Sequence, residues 1–140
     1  MTTDYKDLAV WQRAMQLVKE IYACTRSFPR DELFGLSSQM RRAAVSVASN
    51  IAEGKGRYSQ KELLQFLYKS RGSLMELETQ ILIATDLGYL DELDRRTLMA
   101  TFLKVAQLLN GLIRRFQTEV QIASENKPHN QRSAAEPGDQ

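Results

Sequence analysis

Histidine is nearly missing from this 140-residue chain: His129 is the only one, and it lies in the polar C-terminal stretch. The folded part therefore lacks the usual general base near neutral pH and the commonest metal ligand, which excludes catalytic triads and histidine-metal sites. Cysteine is as scarce. Cys24 alone closes no internal disulfide, and its place in an amphipathic segment between Tyr22 and Phe28 reads as that of a small packed hydrophobe. No apolar run reaches the roughly 18 residues that a membrane span needs, and the opening residues, Met1 to Asp7, hold no apolar signal region behind a basic one. A cytoplasmic protein without a membrane partner is the expectation.

Catalytic and cofactor motifs are missing as well. A carboxylate-bridged di-iron site in a helix bundle needs two inward-facing Glu-x-x-His pairs, and there are none. Gly54-Lys55-Gly56 is a glycine-rich loop with a lysine, yet it lacks the spacing that wraps a triphosphate and reads as a helix cap and turn. Glu76 and Glu78 are close in sequence, but at roughly 100° per residue they point about 200° apart on a helix and form no acid-base dyad. These absences predict no enzyme activity, no cofactor and no metal.

The chain does contain helices. Apolar residues at 43% and charged residues at 26% are values of an ordinary folded domain, so the chain needs no disulfide or metal to fold. Leu8, Trp11, Met15, Val18, Ile21 and Tyr22 recur at helical spacing and predict a helix from Asp7 to Ser27, ended by Phe28-Pro29. After a connector, Leu36, Met40, Ala43, Ala44, Val47, Ala48 and Ile51 form the face of a second helix, with Gly54 as its left-handed C-terminal cap. Ser59-Gln60-Lys61-Glu62 has the form of a capping box and opens a third helix, whose seam is Leu63, Leu67, Ser70, Leu74, Leu77 and Ile81 and which Gly88 closes. A fourth helix starts near Asp91 and carries Leu98, Phe102, Val105, Leu109, Leu112 and Phe116. Short loops force antiparallel neighbours, so the predicted fold is an all-α, antiparallel up-down-up-down four-helix bundle over residues 1–122, with residues 123–140 as a disordered polar tail.

Several segments in this order form a recognisable set: Asp7-Leu8-Ala9-Val10-Trp11-Gln12, Phe28-Pro29, Phe34-Gly35-Leu36, Gln39 to Val47, Ser49-Asn50-Ile51-Ala52-Glu53-Gly54, Gly72 to Glu78 and Leu87-Gly88-Tyr89-Leu90. Together they resemble the four-helix-bundle proteins encoded in 23S ribosomal RNA intervening sequences, over about residues 5 to 120. The resemblance implies a homo-oligomeric barrel, usually a pentamer. It also implies a distant relation to the accessory variability proteins of diversity-generating retroelements, which bind a reverse transcriptase and nucleic acid. Lys69-Ser70-Arg71 departs from the family pattern, which has an alanine-containing stretch there, and raises the local charge.

Two surface patterns suggest partners. Leu64, Tyr68, Met75 and Leu82 form a second apolar stripe on the third helix about 100° from its seam, and Met99, Leu103 and Ala106 do the same on the fourth. These mark a self-association face, against the plainer reading of a broad core. Charge is also segregated. Antiparallel folding gathers Lys6, Lys55, Arg57, Lys61, Arg114 and Arg115 at one end and Asp31, Glu32, Asp86, Asp91, Glu92 and Asp94 at the other. Helix dipoles favour this on the fourth helix and oppose it on the third. Between the ends, an ion pair from Arg41 or Arg42 to Glu76 or Glu78 is expected, with ligand binding by these groups as the alternative. Two functions fit: a homo-oligomeric scaffold whose basic end, Lys55, Arg57, Lys61, Arg114 and Arg115, contacts RNA or DNA phosphates, or an adapter that docks a partner protein and binds no nucleic acid.

Overall fold

The computed structural model describes residues 4–126. Its four helices are α1 (Ala9–Thr25), α2 (Leu36–Lys55), α3 (Gln60–Asp86) and α4 (Glu92–Glu125), with 3-10 turns at Tyr5–Asp7 and Arg30–Glu32. Each helix packs on its neighbour in the chain, and α1 also packs on α4, which closes a four-helix bundle. Paired contacts run in opposite directions along neighbouring helices. Ser46 meets Ser73 while Gly54 meets Leu63 across α2 and α3, and Arg71 meets Asn110 while Gln60 meets Glu119 across α3 and α4. Helix α4 extends to Glu125, three residues beyond the expected end of the domain; residues 127–140 of the expected tail lie outside the described residues.

Leu17, Ile21, Met40, Ile51, Leu67, Leu77, Ile81 and Leu109 are sealed from solvent along the axis. Burial of each such side chain stabilises the fold by about 1.5–3 kcal/mol before entropy is counted. Ser70, also sealed, donates to the Val47 carbonyl at 2.8 Å, so its hydroxyl pays no desolvation penalty where α2 and α3 meet.

The inward face of α1 differs from the sequence expectation. Val10, Ala14, Leu17, Ile21 and Cys24 are buried, whereas Trp11, Met15 and Val18 are only half-buried and Tyr22 is exposed. The helix has two apolar stripes one residue apart, and the slimmer one faces in because Ala14 and Cys24 let the neighbouring backbones approach.

The caps explain where the helices stop. Ser59 Oγ accepts from the backbone N–H groups of Lys61 and Glu62 at 3.1 and 3.2 Å, which is the serine half of the expected capping box. Gly88, at φ 79°, ends α3: its N–H donates to the Thr85 carbonyl and that of Tyr89 to the Ala84 carbonyl, the two bonds of a Schellman closure. Gly54 is not a left-handed cap. It is buried inside α2, the chain continues to Gly56 at φ −81°, and a Cβ on Gly54 would lie 2.9 Å from both Leu63 Cδ1 and Phe66 Cβ. Its missing side chain is what lets α3 start so close to the end of α2.

Candidate nucleic-acid interface and flanking faces

The basic end is where α2 ends, α3 begins and α4 nears its C-terminus. Lys55, half-buried, and Arg115 line one cavity of about 120 Å3 whose walls are Ile51, Leu63, Leu67 and Phe116. Arg57 places its guanidinium 4.6 Å from the centre of the Phe66 ring, and Lys69 Nζ lies 4.6 Å from the same ring. Two cations thus share one aromatic ring, each held without its charge being cancelled. Arg115 Nε pairs with Glu119 Oε1 at 3.4 Å, and Glu119 also accepts from Gln60 Nε2 at 2.9 Å, which ties α4 to the first turn of α3. Lys61 and Arg114 are exposed, and neither has an ion pair among the described residues.

Of the five residues expected here, the structure brings Lys55 and Arg115 to one cavity and seats Arg57 on Phe66 of α3. Lys61 is on the first turn of α3 and Arg114 is exposed beside Arg115. The sequence reading missed Phe66 and Lys69. The signal was present: positions 66 and 69 are three apart on one helix face, and Arg57 is in the loop just before that helix.

The stripe expected to mediate self-association divides. Leu64 is buried at 7% exposure and belongs to the core of the single chain, because it stands one turn before Leu67 on the flank of the α3 seam. Tyr68 is half-buried, with its hydroxyl accepting from Gln117 Nε2 at 2.8 Å. Met75 (63%), Leu82 (54%) and Leu103 (54%) are exposed, and Met99 is half-buried beside them. These residues lie on α3 and α4 and remain an open apolar face.

The ion pair expected between α2 and α3 does not form. Arg41 Nε donates to Thr25 Oγ1 at 2.9 Å and its guanidinium lies 5.0 Å from the Tyr22 ring, so α1 takes this arginine and α3 does not. Glu76 instead accepts from Gln80 Nε2, and Arg71 Nη1 donates to Asn110 Oδ1. Ion pairs among the described residues are Glu92 with Arg95 and Arg96, and Arg115 with Glu119.

Chemistry beyond binding has little to work with. Burial pushes the Cys24 thiol up to about 12, Asp94 adds to the effect, and the group donates to the Ile21 carbonyl, so it stays a protonated packing group. No group of three or more potential ligands is placed to hold a metal ion among the described residues, and none of their helices is long and apolar enough to cross a membrane.

The family model for the 23S rRNA-intervening sequence protein matches residues 6–111. The chain is also similar to a crystal structure of a protein of unknown function from the S23 ribosomal protein family of Bacteroides thetaiotaomicron. Identity is 18% and the TM-score 0.68, with 75% of this chain and 98% of that one covered, which is a likeness of fold. No curated protein matches. Neither similarity points to a family of enzymes.

Proposed function

The chain belongs to the 23S rRNA-intervening sequence protein family, and from that premise we propose that it is a non-enzymatic homo-oligomeric scaffold whose basic end binds the backbone of RNA or DNA. One observation carries the reading: Lys55, Arg57 and Lys61 lie where α2 gives way to α3, Lys69 shares the Phe66 ring with Arg57, and none of the four has an ion pair among the described residues. Cations left without partners at one end of a folded domain are what phosphate recognition uses. The site has few base-reading groups, so contact is electrostatic and indifferent to sequence. Assembly into a ring, a pentamer as in the barrel that the resemblance implies, repeats each weak contact around the rim. The proposed setting is the cytoplasm, where the single thiol stays reduced.

A second reading is favoured by the exposed apolar faces: an adapter that docks a partner protein through its helical walls. Salt separates the two. Affinity for unrelated duplexes should fall with a slope of about −0.9 in log affinity against log salt per phosphate neutralised, or about −0.7 for single strands. Replacing Arg57, Lys61 and Arg115 with Gln should flatten that slope equally for all sequences. No binding of structured RNA or duplex DNA at low salt would refute the nucleic-acid reading and leave the adapter.

A further inference from the structure

Among the apolar surfaces that the described chain leaves open, two lie on different helix pairs and share no helix. One is the α1/α2 groove, where Trp11, Met15 and Val18 face Val45, Ala48 and Ala52. It continues into a cleft of about 500 Å3 between Tyr22, Phe34 and Arg41, in which Phe34 is 94% exposed. The other is the α3/α4 face with Met75, Leu82 and Leu103. Because the helices pack in the ring order α1, α2, α3, α4, these pairs are opposite sides of the bundle.

The α1/α2 side carries arginines, and the α3/α4 side carries carboxylates beside Arg71, which is turned to Asn110 and Tyr68. Arg41 is held by Thr25 and Tyr22, which leaves the outer edge of its guanidinium free for a carboxylate, and Arg42 lines the same cleft. On the α3 side stand Glu78 and Asp86, which flank Leu82 at helical spacing and have no ion pair among the described residues. A twofold contact buries one kind of face against itself and leaves the other in water. A heterologous contact buries both and brings unlike charges together.

We propose that the α1/α2 groove of one copy seats the α3/α4 face of a second copy, with Arg41 and Arg42 opposite Glu78 and Asp86, in a head-to-tail contact that repeats until the ring closes. The inference rests on the homo-oligomer reading and adds its two surfaces and their polarity.

Complementary blocked variants test it. Phe34→Glu with Val45→Glu blocks the groove, and Met75→Glu with Leu82→Glu blocks the opposite face; all four side chains are exposed, so helicity by circular dichroism should stay that of the wild type. Each variant alone should elute as a monomer. An equimolar mixture, at a concentration where the wild type assembles, should give a species of twice the 16.0 kDa chain mass, because only one groove and one face remain to pair. A wild type that is itself a 16.0 kDa monomer overturns the assembly reading and this inference with it. A wild-type oligomer that survives either block, or two monomeric variants whose mixture stays monomeric, overturns the head-to-tail pairing and leaves assembly standing.

Discussion

Gly54 offers the sharpest test of the packing. An alanine there would put a Cβ 2.9 Å from Leu63 Cδ1, 2.9 Å from Phe66 Cβ and 3.3 Å from the Leu63 carbonyl oxygen. Leu63 Cδ1 can swing aside, but Phe66 Cβ and the carbonyl are fixed to the backbone, so α2 and α3 must separate. Overpacking of this kind costs about 1–3 kcal/mol. Alanine returns at most about 1 kcal/mol of helix propensity, and less than that in a last turn. Gly54→Ala should therefore be destabilised by about 1–2 kcal/mol net, or roughly 3–7 °C in Tm for a chain of this size. Gly72 is the control: it is also helical, a Cβ there meets nothing within 4 Å, and Gly72→Ala should gain about 0.5–1 kcal/mol. Gly54→Asn separates packing from capping, since asparagine serves in a left-handed cap but is larger than alanine in a close approach. Thermal and urea unfolding at one protein concentration would measure all three. A Gly54→Ala protein as stable as the wild type, or a Gly54→Asn protein better than Gly54→Ala, would refute the close-packing account.

The remaining expectations concern a cap and a thiol. Ser59→Ala removes the acceptor for two backbone N–H groups at the start of α3 and should cost about 1 kcal/mol in urea unfolding, within a range of about 0.5–2; a change below about 0.3 would mean that water serves those groups equally well. Cys24 should resist thiol reagents at pH 8 in the folded protein and react at once in denaturant, because its thiol is buried and raised to about 12. Since the raised group ionises first in the unfolded chain, its stabilising contribution holds below pH about 9 and is lost as pH rises from there toward about 12. Equal labelling rates in native buffer and in denaturant would place Cys24 at the surface.

Much of the fold was legible because the signals were redundant. Four periodic segments, the Ser59 cap and the Gly88 closure each mark a boundary by a different mechanism, and all agree with the helices observed. Failures occurred where two patterns of equal quality compete. On α1 the stripes through Trp11 and through Ala14 both have helical spacing, and only the fit of neighbouring helices decides between them. Leu64 failed for a related reason, since a residue on the flank of a seam is core or surface according to how far the next helix leans over it. The local chemistry around Gly54 suggests a cap, whereas the contact that requires a glycine there comes from residues 63 and 66. Arg41 found Thr25 and Tyr22 because the side chain reaches α1, a three-dimensional choice that a charge count along the chain does not contain.

The charge pattern follows the ends of the bundle and not the individual helices. Helix α4 has Glu92 and Asp94 in its first turn, where the dipole favours them, and Asp91 caps it by accepting from the Asp94 N–H at 2.7 Å. Helix α3 is arranged the other way round, with Lys61 next to its N-terminus and Asp86 at its C-terminus. Each misplaced exposed charge costs about 0.3–1 kcal/mol, and Glu62 in the first turn offsets part of it. Neither Lys61 nor Asp86 recovers that cost through an ion pair among the described residues. Under the two proposals the balance would be met outside the single bundle, one charge each: Lys61 stands with the unpaired cations offered to phosphate, and Asp86 lies on the face offered to the arginines of the next copy.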